Sequence, residues 1–267
     1  MNGERNSLLG LRPAADALLD TVAASGRAIF LMLRALRYLP WAPARRRQIV
    51  GHMLVAGVYT LPAASLIAAF TGMVLALQMG AVLADWGQSA RIGAIVATSM
   101  CREMGPIWVA VILAARVGSA MAAELGTMQV SEEIDALNVM SIDPARFLVM
   151  PQIVALMIMA PVLTVYADLV GILGGAVVGN YQFNVPYLAY LHEAERALVG
   201  KDILGGVLLK APLAGLVIAV VGCAIGLAVR PSEGARGVGS AARNSVVVSL
   251  ILLTMFNYIL SSIIQHL

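Results

Sequence analysis

The side chains best placed to do chemistry are ionisable groups that interrupt long apolar runs. Arg102 and Glu103 are adjacent in the second run, and Lys210 lies in the fourth. Because charge is costly in hydrocarbon, such groups usually face a cavity or a partner. At a helical rise of about 1.5 Å per residue, counted from the same end of the runs, Glu103 is about 16 Å deep and Lys210 about 12 Å deep. We expect these two groups to meet, either as a structural salt bridge or as part of a ligand-facing polar cavity.

A proline stands close behind the charged pair. Pro106 has no N–H for the carbonyl of Arg102, four residues earlier, and its ring clashes with that carbonyl. The helix is therefore predicted to be irregular at Arg102 and Glu103. Asp168, in the third apolar run, has no evident partner in the sequence, and no role is assigned to it.

The polar segment 124–147, between the second and third apolar runs, is the second candidate site. Ser131–Ile134 is typical of a helix N-terminus, because acidic groups in the first turn complement the helix dipole. Asp143–Pro144 is predicted to stop this short helix. A solvated loop does not need apolar residues, so the pattern favours docking onto a soluble partner through Ile134, Leu137 and Val139.

The composition indicates an integral membrane protein rather than a soluble enzyme. Of the 267 residues, 60% are hydrophobic and 12% are charged, whereas a soluble domain is about half apolar and about a quarter charged. The apolar residues fall in long runs, which is typical of membrane-spanning helices. No stretch alternates basic clusters with aromatic residues, so nucleic-acid binding is not predicted.

Five apolar segments exceed the roughly 20 residues that cross a hydrocarbon core. They predict an all-α fold with spans at about 51–83, 92–122, 147–179, 203–229 and 244–265. Five prolines are expected to bend or locally open these helices, which neighbouring helices can accommodate: Pro62, Pro106, Pro151, Pro161 and Pro212.

Residues 1–50 are predicted to form an interfacial unit, and 51–267 a single membrane domain. The segment Ala14–Leu39 has the pattern of an amphipathic helix, and Pro40 and Pro43 end it. Arginines at its polar edge suit a helix that lies at the level of the lipid headgroups. The apolar side consists of Leu18, Leu19, Val22, Ile29, Leu33 and Leu36.

The basic residues predict the orientation of the spans. Eight of the eighteen lysines and arginines precede Gly51, and four more fall on the same predicted side of the membrane: Arg146, Arg230, Arg236 and Arg243. The opposite side holds only Arg91, Arg196 and Lys201. Because cytoplasmic loops are enriched in basic residues, we expect the N-terminus inside and, after five crossings, the C-terminus outside.

Small residues recur at four-residue spacing, which lets helices approach closely in lipid. We expect these rows to pack within one chain rather than between copies: Gly171–Gly175–Gly179, Gly222–Gly226 and Gly118–Ala122.

The two cysteines, Cys101 and Cys223, are interpreted as core residues. The three histidines have no ligand spacing, so no metal site is predicted.

The residues already described are similar to a known family. The run REMGP from Arg102 to Pro106, the segment Ala114–Pro151 and the run FTGMVLALQ from Phe70 to Gln78 closely resemble the MlaE/YrbE permeases of MCE-type ABC transporters. The resemblance extends from about Gly51 to the C-terminus and is densest over 99–151.

The resemblance implies a set of partners. Such permeases are homodimers in the bacterial inner membrane, with a cytoplasmic ATPase pair, often a small STAS-domain protein, and a periplasmic MCE-domain hexamer. They move phospholipid or a related lipid between the membrane and the MCE ring. Nothing in this chain fits the phosphate-binding pattern G-x-x-x-x-G-K-[ST], so no cofactor is expected here, and ATP and Mg²⁺ would be bound by the ATPase.

The resemblance also implies site residues. The lipid pocket, between two copies, would be lined by Leu75, Gln78, Val82, Leu83, Trp86, Arg102, Glu103, Lys210 and Asn257. Some relatives carry an acidic residue where Asn257 stands, which leaves the headgroup preference open. The coupling helix, about 131–140, would contact the ATPase through Ser131, Glu132, Glu133, Asp135, Leu137 and Met140.

Two other classes of function compete with the permease hypothesis. A self-contained channel or secondary transporter predicts inverted repeats with paired broken helices, and we see none in the sequence. An intramembrane enzyme would use Glu103 as an acid or base, but no His, Ser or Asp stands at a recognisable spacing from it. The lipid species and the direction of transport stay open.

Overall fold

The computed structural model describes residues 23, 25–198, 200 and 204–266. These residues are helical almost throughout and include no strand, as predicted. Within them, five helical segments are long and apolar enough to cross a membrane. We call them the first to fifth spans: Leu39–Asp85, Ser89–Val130, Ala145–Phe183, Gly205–Gly226 and Pro231–Ile264.

Each span contains one to three α-helices that follow one another without a loop. The first contains α2 and α3, the second α4 to α6, the third α8, the fourth α10 and the fifth α11, while α1, α7 and α9 lie outside the spans. The helices are α1 (25–37), α2 (Arg46–Ala56), α3 (Leu61–Asp85), α4 (Ile92–Ser99), α5 (Gly105–Leu113), α6 (Ser119–Val130), α7 (Glu133–Val139), α8 (Met150–Phe183), α9 (Tyr187–Ala197), α10 (Ala211–Leu227) and α11 (Gly234–His266).

The start of the fifth span differs most from the prediction. The helix α11 begins at Gly234, well before the predicted start of the span at position 244. Residues 234–243 are too polar to belong to an apolar run, but the alanines and arginines among them are good helix formers. The span therefore continues as a helix beyond its apolar part.

The N-terminal helix presents two apolar sides. Ala28, Leu31, Met32 and Ala35 pack against the hydrophobic core, whereas Ile29 and Leu33, on the predicted apolar side, point away from the protein. Such an outward apolar side suits contact with lipid. The interfacial position of α1 stays a prediction, and the part of the predicted helix formed by 14–22 lies outside the described residues.

In the part of the chain that the structure describes, four π-helical segments lie within the spans or at their start: Met100–Met104, Ala114–Gly118, Ala145–Val149 and Leu204–Lys210. Three of them end two residues before a proline, namely Pro106, Pro151 and Pro212. Each proline lacks the N–H that the carbonyl four residues earlier would accept, and that carbonyl lies inside the π segment. The predicted irregularity at Arg102 and Glu103 is confirmed, whereas α8 runs unbroken through Pro161.

The predicted rows of small residues pack within the chain. A Cβ on Gly222 would lie 2.9 Å from the carbonyl oxygen of Gly118, and one on Gly226 would lie 2.8 Å from that of Ala122. The backbones of the second and fourth spans therefore touch along two turns. The first and third spans meet in the same way where Gly72 lies against Gly171.

The loop between the second and third spans begins its helix later than predicted. Ser131 does not cap α7; its Oγ donates to the carbonyl oxygen of Thr127 at 2.6 Å and so completes α6. Glu132 then takes a left-handed conformation, with φ of 59°, and α7 starts at Glu133. Asp143 accepts a hydrogen bond from the N–H of Ala145 at 2.9 Å, so it marks the start of the third span.

We predict that Gly72→Ala destabilises the protein, whereas Gly51→Ala does not. A Cβ at Gly72 meets the backbone of Gly171, while nothing lies within 4 Å of one at Gly51. Overpacking costs about 1–3 kcal/mol, whereas alanine in an open helical position is favoured over glycine by about 1 kcal/mol. Apparent melting temperatures in detergent should therefore fall for Gly72→Ala only, and equal melting temperatures for both variants would contradict the packing.

Candidate functional site

The two ionisable groups that the sequence predicted to meet form an ion pair. Lys210 Nζ lies 2.7 Å from Glu103 Oε1. The lysine side chain is only 6% exposed, and the glutamate side chain is 34% exposed. The pair thus lies within the second and fourth spans, with the carboxylate side nearer the surface of the chain.

Lys210 uses all three of its N–H groups on protein acceptors. Besides Glu103, the ammonium donates to the Ser261 hydroxyl and to the backbone carbonyl of Arg102, each at 2.8 Å. An ammonium has three donors and no acceptor, so its hydrogen bonding is complete. The Arg102 carbonyl is the one that Pro106 leaves without a helical donor. The lysine therefore donates a hydrogen bond both to the carboxylate and to the neighbouring carbonyl that lacks a helical donor.

Glu103 is held by three donors. Its Oε1 accepts from Lys210 and from the Ser261 hydroxyl, the latter at 2.7 Å, and its Oε2 accepts from Asn257 Nδ2 at 2.8 Å. An acidic residue in place of Asn257 would set a second negative charge against Glu103, which an amide avoids. Sequence reasoning missed Ser261. Its position four residues after Asn257, on the same face of α11, is the signal that could have found it.

Two π-helical segments bring these groups together. Gly206, in the segment Leu204–Lys210, lies against the carbonyl of Cys101 in the segment Met100–Met104. A side chain at position 206 would not fit there. The close approach sets Lys210, at the end of its segment, beside Glu103, near the end of the other. Single-turn π bulges of this kind are frequent at functional sites.

The contact between Lys210 and Ser261 differs from that of a catalytic serine–lysine pair. A serine next to a lysine is a known catalytic pair when the lysine acts as the base. Here the ammonium of Lys210 donates to three acceptors, so it offers Ser261 no lone pair. The contacts are those of a structural and electrostatic cluster, in which Glu103, the group that an intramembrane enzyme would use, accepts hydrogen bonds from Lys210, Ser261 and Asn257.

An apolar cavity of about 170 Å³ opens beside the ion pair, between the second, fourth and fifth spans of the same chain. Lys210 and Asn257 border it at its polar end. Its apolar walls are formed by side chains from all three spans: Ile107, Ala110, Val111, Leu213, Ala214, Val217, Leu250, Leu253 and Leu260. The site therefore combines a neutral polar cluster with hydrocarbon-like space.

The sequence matches known membrane permeases over most of its length. The family model described as "Permease MlaE" covers residues 49–263. A probable ABC transporter permease protein of Rickettsia typhi is 36% identical over 216 residues, which are 81% of this chain and 82% of that protein. The intermembrane phospholipid transport system permease protein MlaE of Haemophilus influenzae is 32% identical over 247 residues, which are 92% of this chain and 94% of the relative. The chain belongs to the MlaE permease family.

A further relative comes from a cyanobacterium. A probable ABC transporter permease protein of Synechocystis sp. is 33% identical over 234 residues, which are 88% of each chain. The MlaE family match reaches into all five spans and includes the loop between the second and third. This chain is therefore a multi-pass membrane permease of the ABC transporter class, and the resemblance predicted from the sequence is confirmed.

The first-span residues expected at the lipid site of an MlaE permease are not among the hydrogen-bond partners of the ion pair. Leu75 and Leu83 are partly buried against the second and third spans. Gln78, Val82 and Trp86 are exposed, the last two to 53% and 76%. None of the five borders the cavity. Within one chain the structure thus unites Arg102, Glu103, Lys210 and Asn257, and leaves Gln78, Val82 and Trp86 on an outer face.

The expected coupling segment of the permease is divided into a packed and an exposed part. Ile134 is only 5% exposed and anchors α7 to the protein, and Leu137 is half-buried. Val139 is 86% exposed and Met140 is 60% exposed, next to an exposed polar surface of Ser131, Glu132, Glu133 and Asp135. Of the three apolar residues expected to dock onto a partner, only Val139 has a largely exposed side chain.

The end of this loop is tied to the N-terminal region. Arg34 Nε lies 3.0 Å from Asp143 Oδ2. The guanidinium of Arg45 lies 4.3 Å from the centre of the Phe147 ring, and that of Arg146 lies 4.4 Å from that of Trp41. Cation–π contacts of this length are attractive. The loop is therefore connected to the start of the first span as well as to the second and third spans.

Asp168 remains without an assigned role. It is 4% exposed in the third span, and its carboxylate lies against Gly105 of the second span. It thus approaches the segment Met100–Met104 from a different span than Lys210 does. In the described residues, no group of three or more His, Cys, Asp or Glu side chains is placed to hold a metal ion.

We predict that Lys210→Met is strongly destabilising and that adding Glu103→Gln restores part of the loss. The single change leaves a carboxylate unpaired among the spans, which typically costs about 3–5 kcal/mol. The second change removes that charge, so the two effects should not add. Apparent melting temperatures of the wild type, both single variants and the double variant give the coupling. A double variant that melts no higher than Lys210→Met would contradict the pairing.

Proposed function

We propose that this permease moves phospholipid between the bacterial inner membrane and a periplasmic MCE-domain hexamer, driven by ATP hydrolysis in a partner subunit. One observation supports it above all. A hydrogen-bonded polar cluster stands inside the spans, directly beside an apolar cavity. A lipid needs such a site, because its headgroup and tails require opposite surroundings. The Haemophilus relative is named as a phospholipid transport permease, which agrees with this substrate class.

The proposed lipid site requires two copies of the chain. The first-span residues Gln78, Val82 and Trp86 recur every four positions on an exposed face. A second copy would cover this face and bring it toward the lipid path. The Arg102 side chain is exposed beside the ion pair and would attract the lipid phosphate. In this proposal the ion pair keeps the centre of the path polar but without net charge.

In this proposal, a cytoplasmic ATPase pair binds α7 and supplies the energy for transport. Val139 and Met140 form its apolar contact, and Glu133 and Asp135 set an acidic charge beside it. ATP and Mg²⁺ would be held by the ATPase. Closure of the ATPase pair would push α7 and favour one of two arrangements of the spans. A STAS-domain protein bound to the ATPase belongs to the same proposal.

We predict that Val139→Asp combined with Met140→Asp releases the ATPase from the permease. Charging the centre of an apolar contact typically removes a hot spot of about 2 kcal/mol or more, so ATPase recovery should fall at least about tenfold. The measurement is co-purification from the native membrane, with ATPase assay and lipid extraction. Glu133→Lys with Asp135→Lys should act in the same direction by reversing the charge.

Leu188→Asp is the matched control for this experiment. Leu188 is an apolar residue of α9, outside the spans, and is 83% exposed. Because α9 is predicted to face the opposite side of the membrane, this change should leave ATPase recovery unchanged. Failure of the wild type to bring down any ATPase or phospholipid would overturn the proposed function. Equal recovery from the α7 variant and the control would overturn the role of α7.

The predicted orientation can be measured with single added cysteines. Both native cysteines are buried, Cys101 at 6% and Cys223 at 0% exposure, so the background labelling should be low. In intact spheroplasts, a membrane-impermeant maleimide should label Leu188→Cys but not Val139→Cys. Both should react after lysis. The reverse pattern in intact spheroplasts would contradict the N-in, C-out topology.

A further inference from the structure

We propose that the start of the first span and the start of the third span together bind an anionic phospholipid, at a site separate from the polar cluster and cavity described above. The headgroup phosphate would be bound by four arginines, which we call the basic cluster: Arg45, Arg46, Arg47 and Arg146. The lipid would come from the leaflet in which these two spans begin, which is the cytoplasmic leaflet in the predicted orientation. The inference depends neither on the transported substrate nor on its direction.

Two arginines of the basic cluster are held on aromatic rings, and each ring belongs to the other span. The guanidinium of Arg45, in the first span, lies 4.3 Å from the centre of the Phe147 ring in the third. The guanidinium of Arg146, in the third span, lies 4.4 Å from the centre of the Trp41 ring in the first. These crossed contacts bring both guanidiniums to the junction of the two spans. Because side chains that are already held lose less freedom on binding, the pair is preorganised for an anion.

The positive charge of the basic cluster is not neutralised by the protein. The sequence contains no acidic residue between Asp20 and Asp85. Asp143, the acid nearest to Arg146 in the sequence, is paired with Arg34. Within the described part of the chain, no salt bridge involves the basic cluster, and the buried Nε–H of Arg146 has no acceptor. The basic cluster therefore keeps a net charge that an anionic ligand can neutralise.

Exposed apolar side chains beside the basic cluster favour a lipid over a free anion. Trp41 is 54% exposed, and tryptophan is enriched at the membrane–water interface. Val50 is 52% exposed and stands one turn after Arg46 on the same side of α2. Phe30 and Leu33, on the neighbouring α1, are also exposed. A phospholipid offers a phosphate to the arginines and hydrocarbon to these side chains, and basic clusters beside spans bind anionic lipids.

The basic cluster is remote from the ion pair of Lys210 and Glu103. The second span continues for about 40 Å from Glu103 to Val130, and the loop after it leads to the start of the third span at Ala145. The two places also differ in charge. The ion pair is neutral as a pair, whereas the basic cluster is positive, so it should distinguish an anionic headgroup from a zwitterionic one.

The first test removes the two held arginines by Arg45→Gln combined with Arg146→Gln. In detergent, added phosphatidylglycerol should raise the apparent melting temperature of the full wild-type chain by about 3 °C or more. Zwitterionic phosphatidylcholine and inorganic phosphate should not. The double variant should lose this rise, which is measured against its own melting temperature without lipid. A double variant that keeps the full rise would overturn the site.

Arg236→Gln combined with Arg243→Gln is the matched control. Both arginines are exposed on α11, fall on the same predicted side of the membrane and represent the same change of charge. The control should keep the rise that phosphatidylglycerol causes. Equal loss in both double variants would overturn a specific site. An equal rise in the wild type with phosphatidylcholine or inorganic phosphate would overturn the preference for an anionic lipid.

The second test leaves every arginine in place. A benzophenone amino acid replaces Val50, next to the basic cluster, or Leu169, which is 57% exposed in the third span. The chain is placed in bilayer discs that hold equal amounts of phosphatidylglycerol and phosphatidylcholine, and is then illuminated. Among the lipid adducts, phosphatidylglycerol should be enriched at position 50 at least about fivefold relative to position 169. Equal enrichment at both positions, or an adduct at position 50 to protein instead of lipid, would overturn the proposal.

Discussion

The ammonium of Lys210 is the contact on which the rest of the site depends. It donates at once to a carboxylate, to a hydroxyl and to the backbone carbonyl that Pro106 leaves without a donor. In lipid, an unsatisfied polar group is expensive because no water can replace the missing partner. The fourth span supplies, in one side chain, a partner both for the part-buried acid of the second span and for the carbonyl that its proline leaves free. The second, fourth and fifth spans are tied together by the same few hydrogen bonds.

Much of this arrangement follows from the sequence by simple counting. The depths of Glu103 and Lys210 predict their meeting, and the position of Pro106 predicts the irregular turn beside them. Apolar length predicts the five spans, and the four-residue rows of small residues predict close packing within the chain, which Gly222 and Gly118 show. These predictions succeed because each depends on one strong physical term, namely the cost of charge in hydrocarbon, the missing N–H of proline, or the close approach that glycine permits.

Other features were beyond the sequence because they depend on contacts between distant segments. Ser261 is an ordinary hydroxyl until α11 places it beside Glu103. Ser131 has the residue type of a helix cap, yet it bonds backward to Thr127, since the chain turns at Glu132. The cavity is bordered by three spans, so its presence cannot be predicted from any local sequence pattern. The placement of the first-span residues around a lipid stays a prediction, as it depends on a second copy.

The π-helical segments have a consequence for how such a site can change in evolution. A π turn holds one residue more than an α turn, so removing one residue from Met100–Met104 would restore the α register. In an α-helix, one residue corresponds to a rotation of about 100° and a shift of about 1.5 Å. Such a deletion would turn Arg102 and Glu103 away from the fourth and fifth spans without altering any side chain. The direction in which the charged pair points thus depends on the number of residues in the second span. Insertions or deletions change that direction, whereas substitutions leave it as it is.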